Sequence, residues 1–294
     1  MKHLLLFFAL FVVAKGCLPT YKPGPQKCAC GVPLNRRRIV GGRPALVDEY
    51  PWMVALTHPE TGSQFCAGSL LSSTTVLTAA HCIASRHKTI AVALPNGDVT
   101  FENATQILTS KIEVHPYWLS GNPQGFAPDN DFAILTLSTP VAFTESIMPI
   151  CLPDPNKDYE DIVATATGWG LTTPQMLGSQ PSSVLLAVNI TTMTNEKCKS
   201  SLPLTSFPPP MIPGIITPNM ICGFQPGEGT CNGDSGGPFF ALSEDGAYYS
   251  QIGVTAWGVD CESISVYSRV TEQMYWIMRH MTGDTCAPPS STQT

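Results

Sequence analysis

Eleven cysteines among 294 residues constrain this chain more than any other feature. So many cysteines either bind metal or pair in an oxidising compartment, because a reducing cytosol keeps thiols apart. Their spacing contains no C-x-x-C pair, and a single residue separates Cys28 from Cys30, which argues against a zinc array. The count is odd, so not every cysteine can pair within one chain.

The N-terminus points to the same compartment. Lys2 and His3 precede an apolar run over residues 4–14, and Ala14-Lys15-Gly16 offers small residues around a cut before Cys17. That is the pattern of a secretory signal peptide, residues 1–16, since so short a run cannot span a bilayer. A secreted chain fits Asn103-Ala104-Thr105 and Asn189-Ile190-Thr191, two glycosylation sequons. Charged residues make up 13% of the chain, about half the usual share, which excludes disorder driven by charge. There are 16 basic against 22 acidic side chains and no long basic run, so nucleic acid is not an expected partner.

Charge also divides the chain. Residues 17–38 hold Lys22, Lys27, Arg36, Arg37 and Arg38 and no acid, whereas the remainder to the C-terminus carries all 22 acids. A basic leader ending in three arginines, directly before Ile39-Val40-Gly41-Gly42, reads as a propeptide with a processing site. Beyond it come short runs rich in β-branched and aromatic residues: 52–56, 75–77, 91–94, 132–137, 162–166, 184–190, 251–256 and 265–270. Gly, Pro, Asn and Asp clusters separate them, and Asn96-Gly97 reads as a hairpin turn. This pattern predicts an all-β barrel or sandwich. Only the end reads as helix, where Val270, Met274, Ile277, Met278 and Met281 form an apolar stripe of core residues. The proline-rich stretch 203–218 reads as a loop, and residues 283–294 as a flexible tail.

Three motifs carry chemistry: Thr78-Ala79-Ala80-His81-Cys82, Asp129-Asn130-Asp131-Phe132, and Gly233-Asp234-Ser235-Gly236-Gly237-Pro238. With the Ile-Val-Gly-Gly start, the set resembles the trypsin/chymotrypsin family of serine endopeptidases over residues 30–281. The resemblance implies two six-stranded antiparallel β-barrels with a C-terminal helix. The N-terminal barrel would occupy residues 39–155, and the C-terminal barrel with its helix residues 156–282. It also implies roles. A serine hydroxyl is a weak nucleophile and needs an imidazole to take its proton, while an acid fixes the imidazole tautomer. Ser235 is then the nucleophile, His81 the general base and Asp131 the orienting acid, with the N–H groups of Gly233 and Ser235 as the oxyanion hole. Gly-x-Ser-x-Gly also suits an α/β-hydrolase, but those place acid and histidine after the serine. Here the order is His81, Asp131, Ser235. The other histidines read as bland: His58, His87 and His115 as surface residues, and His280 on the terminal helix.

By the same resemblance, cleavage between Arg38 and Ile39 frees an α-amine that pairs with Asp234 and orders the pocket. The expected disulfides are Cys30–Cys151, Cys66–Cys82, Cys198–Cys222 and Cys231–Cys261, the first tethering the cleaved leader. Ala164 and Ala241 stand where the family has a further bridge. Cys17–Cys28 reads as a local pair, leaving Cys286 unpaired or joined to another chain.

The resemblance also implies substrate contacts at Gly229, Thr230, Trp257, Gly258 and Ser265. Gly229 occupies the floor position where trypsin-like members carry an acid, so a preference for aromatic or large apolar residues is expected. Those pocket residues are most similar to chymotrypsin-like digestive or venom proteases of the arthropod type. The alternative is an Arg/Lys preference, should Glu228, Asp260 or Glu262 turn inward. Ala256 replaces a serine that usually supports the catalytic acid. A second class, an inactive homologue acting as a binding cofactor or toxin, is disfavoured by the complete set of His81, Asp131 and Ser235. Expected partners are protein or peptide substrates, an activating protease and protein inhibitors, with no cofactor, metal or membrane span, and a monomeric chain.

Overall fold

Short strands that bury one face satisfy both backbone and apolar side chains by closing on themselves. The computed structural model describes residues 28–33, 43–46, 48–83, 90–94, 104–118, 129–171, 181–202, 215–258 and 261–289. The signal segment, Cys17, Arg38, Ile39, His87, the Asn96-Gly97 turn, Asn103, Asp260 and most of the proline-rich stretch lie outside them.

The strands in order are β1 (Arg43–Pro44), β2 (Met53–Thr57), β3 (Gln64–Leu70), β4 (Thr75–Thr78), β5 (Ala91–Leu94), β6 (Thr105–Val114) and β7 (Ala133–Leu137). After them come β8 (Val163–Gly168), β9 (Leu186–Met193), helix α1 (Asn195–Ser201), β10 (Met220–Phe224), β11 (Pro238–Leu242), β12 (Tyr249–Gly258), β13 (Ser265–Arg269) and helix α2 (Val270–His280). Strands β2-β3-β4-β7-β6-β5 close one antiparallel barrel. The second runs β9-β10-β13-β12-β11-β8 and closes through the β8–β9 pairing, with β1 added at the edge of β9. The fold is two six-stranded β-barrels followed by a C-terminal helix.

The barrels share a core. Trp52, fully buried, meets Phe240 edge-on at 5.3 Å between ring centroids, and Tyr50 and Tyr249 pack around them. Burying a large apolar side chain contributes about 1.5–3 kcal/mol, so this aromatic group does much to hold one barrel on the other. Helix α2 buries Val270, Met274 and Ile277 into the same cluster, the i, i+4, i+7 face of its stripe. Ala164 and Ala241 are both buried in the second barrel's own cluster. Continuing the β8–β11 register, which pairs Phe240 with Thr165, brings the two alanines opposite each other.

Three sequence expectations are corrected. Helix is not confined to the end: α1 is a second one, capped by the Thr194 side chain accepting from the Lys197 N–H at 3.1 Å. Its seven residues bury only Cys198, too few for an apolar period to be visible. Cys28 pairs with Cys286, not with Cys17, so Cys286 is not free. The start of the tail is also fastened. The Thr282 N–H donates to Thr75 Oγ1 at 2.9 Å, the Asp284 N–H donates to Ser73 Oγ at 2.8 Å, and the Cys30 N–H donates to the Ala287 carbonyl at 2.9 Å. These partners lie in the first barrel and the leader, where no local pattern reveals them. The remaining disulfides are Cys30–Cys151, Cys66–Cys82, Cys198–Cys222 and Cys231–Cys261.

Candidate active site

Strand β4 leads through Ala79 into a single 3-10 turn, Ala80–Cys82, which carries His81. The Cys66–Cys82 disulfide ties that turn back to β3. Asp131, fully buried, sits two residues before β7, the strand hydrogen-bonded to β4. Its Oδ1 accepts the His81 backbone N–H at 2.8 Å, and its Oδ2 lies 2.6 Å from His81 Nδ1. A carboxylate only accepts, so Nδ1 holds a hydrogen, and in the neutral ring the lone pair is then on Nε2. The ring is about one-third exposed, and its Nε2 lies 3.9 Å from the Cys82 Sγ. Both hydrogen bonds that Asp131 makes among the described residues go to His81, consistent with an alanine at position 256.

The segment bearing Ser235 is held between the two barrels. On one side the Ala67 N–H of β3 donates to the Ser235 carbonyl at 2.8 Å. On the other the Gly236 N–H donates to the Thr255 carbonyl of β12 at 2.9 Å. Gly236 has φ of +78°, and a Cβ there would fall 2.2 Å from Thr78 Oγ1, so only glycine permits this approach. Thr78 is three residues before His81, so serine loop and histidine turn converge on one seam. Among the described residues no hydrogen bond links the Ser235 hydroxyl to His81. Such bonds often tighten only when substrate arrives.

Asp234 points away from this seam. Its Oδ1 accepts from the Gly170 N–H at 2.7 Å and its Oδ2 from the Cys231 N–H at 2.8 Å. Neighbouring atoms enclose the carboxyl, although part of its surface faces a cavity, and burial pushes it up to about 6 against the pull of those two N–H groups. The cavity has a volume of ≈ 290 Å³ and is lined by Arg43, Gly168, Gly170, Leu186, Glu228 and Asp234, among others. Gly168 and Gly170 make room for the acid, since a Cβ at either would lie within 2.5 Å of a carboxyl oxygen. Arg43 at the rim is engaged by Glu49, a buried acid that also accepts the Leu46 N–H.

The β12–β13 pairing aligns Trp257 with Val266 and Gly258 with Ser265, and the Cys231–Cys261 bond closes the loop opposite. Ser265 is fully buried, and its Oγ accepts from the Thr230 N–H at 3.2 Å and lies 3.1 Å from Thr230 Oγ1. A Cβ on Gly229 would be 3.3 Å from that same Oγ. Gly229, Thr230, Ser265, Trp257 and Gly258 are therefore one neighbourhood. Glu228 and Glu262 line the cavity that holds Asp234, and so do Gly229 and Thr230. Tyr267, buried beside Thr230 and Ser265, was not read from the sequence, and burial raises its phenol above the ordinary range.

The chain matches the trypsin family model over residues 39–277. The chain belongs to the trypsin family. It is also 31% identical, over 270 residues, to the complement C1s-1 subcomponent of Mus musculus. That alignment covers 86% of this chain and 37% of the relative, so the chain spans little more than a third of that protein's length.

One histidine that reads as a surface residue is buried. His115 is 5% exposed, not a surface residue. Its ring meets Trp276 of α2 edge-on at 4.8 Å, and burial lowers its pKa. Asn189 lies on β9, partly exposed, with its side-chain oxygen accepting from Thr165 Oγ1 at 2.9 Å. The one close grouping of potential metal ligands among the described residues, His81 with Cys66 and Cys82, uses both sulfurs in their disulfide.

Proposed function

We propose that this chain is the zymogen of a secreted serine endopeptidase with His81, Asp131 and Ser235 as its catalytic triad. The observation that carries the reading is the hydrogen-bonded His81–Asp131 couple meeting the Ser235 loop at the barrel seam. Ser235 Oγ attacks the peptide carbonyl as its proton passes to His81 Nε2. The Gly233 and Ser235 N–H groups receive the oxyanion, and each such donor is worth about 10²–10³ in rate. The C–N bond breaks as His81 returns the proton to the departing amine. Water, deprotonated by His81, then cleaves the acyl ester and restores Ser235. Asp131 holds the tautomer throughout and stabilises the imidazolium.

Activation follows from the Asp234 cavity. Cutting between Arg38 and Ile39 creates an α-ammonium four residues before Arg43, which itself lines that cavity. Four extended residues reach about 13 Å, a tether that starts from a residue lining the same cavity as the Asp234 carboxyl. A buried acid held at about 6 by desolvation is a suitable partner for it. The leader stays attached through Cys28–Cys286 and Cys30–Cys151.

For specificity we favour aromatic or large apolar side chains before the cut. The floor offers Gly229 and the mutually hydrogen-bonded Thr230 and Ser265, all uncharged. The acids Glu228 and Glu262 line the same cavity as Gly229 and Thr230, so the preference rests on the uncharged residues at the floor position itself. After controlled cleavage at Arg38, a fluorophosphonate should label the chain at Ser235, and Ser235→Ala should stay unlabelled. A folded, cleaved chain that takes no label would favour the binding-cofactor reading. A peptide library showing Arg or Lys before the cut would overturn the specificity.

A further inference from the structure

The proposed triad is divided between the barrels: His81 and Asp131 lie with β4 and β7 in the first, Ser235 before β11 in the second. Its working geometry is therefore an inter-barrel distance, and a misplacement of about 1 Å can cost about 10²-fold in rate. Strand β3 of the first barrel ties the Ser235 loop, through the Ala67 N–H on the Ser235 carbonyl at 2.8 Å and Gln64 Nε2 on the Gly233 carbonyl at 3.2 Å. The Asp131 carboxylate has no matching tie to the second barrel, because both of its hydrogen bonds among the described residues go to His81.

The tie comes two residues earlier. Asp129 is partly buried, and both of its carboxyl oxygens meet the approach to β10 in the second barrel. Oδ1 accepts from Thr217 Oγ1 and Oδ2 from Asn219 Nδ2, each at 3.0 Å, across 88 and 90 residues of sequence. The donors are themselves fixed: the Thr217 carbonyl accepts from Asn195 Nδ2 at 2.8 Å, and the Asn219 carbonyl accepts the Arg269 N–H at 2.7 Å. The Thr217 hydroxyl accepts the Asn219 N–H at 3.2 Å, which leaves its hydrogen for the carboxylate. On the other side, Asp129 Oδ1 accepts the Asn130 N–H at 3.0 Å, so it also holds the peptide plane that joins the two residues. Asn130 has φ of +54°, which asparagine tolerates better than most residues, and its Oδ1 accepts from Gln273 Nε2 of α2 at 2.9 Å. The Phe132 N–H then donates to the Asn130 carbonyl at 2.8 Å, joining the two peptide planes that flank the Asp131 Cα.

We propose that Asp129 is a positioning residue of the triad: its carboxylate clamps the turn carrying Asp131 to the second barrel and so sets the His81–Asp131 couple at its distance from Ser235. The inference rests on the reading of those three residues as the triad given above. Asp129 touches no reacting atom, so its influence falls on alignment for proton transfer and little on substrate affinity. With Gln273 and the β3 ties still in place, losing the clamp costs less than a full 1 Å misplacement, and about a tenfold fall in kcat is expected.

The test uses the full chain cleaved at Arg38, as parent, Asp129→Ala, Asp129→Asn and the double variant Thr217→Val, Asn219→Ala. Asp129→Ala removes every bond of the clamp. The double variant removes only its second-barrel donors and leaves the Asn130 N–H contact in place. Both should lower kcat about tenfold with KM within about twofold of the parent, at a temperature where circular dichroism shows them folded. Combining them should add no further loss, because they break the same link. Asp129→Asn keeps Oδ1 as acceptor and offers an N–H to the Asn219 side-chain oxygen once that amide turns over. It should recover kcat to within about threefold of the parent. Parent-level kcat in Asp129→Ala would overturn the proposal. So would a loss in Asp129→Ala that the double variant does not share, which would make the contact local to the turn, or an Asp129→Asn as slow as Asp129→Ala, which would make charge the cause. Should Asp129→Ala not fold, parent-level kcat in the double variant overturns the proposal by itself. Failure of the underlying reading is separate: Ser235→Ala hydrolysing as fast as the parent would remove the active site itself.

Discussion

The buried carboxyl of Asp234 makes a quantitative test of activation. In the described structure its carboxyl is hydrogen-bonded by two backbone N–H groups, and burial lifts it from 3.8 to about 6. A gap of about two pKa units corresponds to about 3 kcal/mol. The sign is set by which state holds the proton. Well below pH 3.8 the acid is protonated whether the chain is folded or not, so its burial adds no electrostatic cost. As pH rises from 4 to 6 the unfolded chain releases the proton first, and the uncleaved fold loses about 3 kcal/mol by pH 7. Cleavage should remove this penalty by placing the Ile39 ammonium beside the carboxylate. The benefit should vanish again in alkali, as the amine, raised above its usual value near 8 by its partner, loses its proton. The Tm of the cleaved chain minus that of uncleaved Arg38→Gln should therefore be smallest near pH 4 and largest from about 6.5 to 8, then fall. About 3 kcal/mol on a protein of this size corresponds to roughly 6–12 °C. Differential scanning calorimetry from pH 4 to 10 would measure it, with Asp234→Asn as control. A difference independent of pH would refute the reasoning, as would the same bell in Asp234→Asn.

Other outcomes follow from single contacts. Gly236→Ala forces a Cβ to within 2.2 Å of Thr78 Oγ1 at positive φ, and kcat should fall by more than about 100-fold, measured beside Tm to separate misalignment from unfolding. Cys286→Ser should cost about 2–5 kcal/mol by denaturant titration. On a non-reducing gel of the cleaved protein its leader should remain bound through Cys30–Cys151, while the Cys30→Ser, Cys286→Ser double variant should release it. The His115 imidazole should titrate below 6.5 by NMR, because burial disfavours its cation even with Asp129 nearby. Its contribution to stability is then present above 6.5 and lost as pH falls through the lowered value, and a titration above 6.5 would refute its burial.

Much of the fold was legible locally. Periodicity and turn residues marked the strand at 91–94 and the helix beginning at Val270, since each reflects a single buried face. Motif order separated His81, Asp131 and Ser235 from the α/β-hydrolase arrangement. What stayed hidden depends on partners distant in sequence. β1, β3, β6, β10 and β11 fall outside the runs that read as strands, α1 is too short to show a period, and His115 sits in polar sequence yet lies under Trp276.

The cysteines show the division best. Their number, odd count and lack of C-x-x-C pairs pointed to an oxidising compartment and to disulfides instead of a zinc array. Proximity along the chain suggested Cys17 with Cys28. Tertiary structure decided for Cys286, 258 residues away from Cys28, because residues 282–284 are carried back by hydrogen bonds they donate to Ser73 and Thr75, to lie beside the leader. Which residue types do chemistry is written in local motifs. Which atoms meet, as with Gln64 and Gly233 or Asp234 and Gly170, is fixed only when two barrels close and press their edges together.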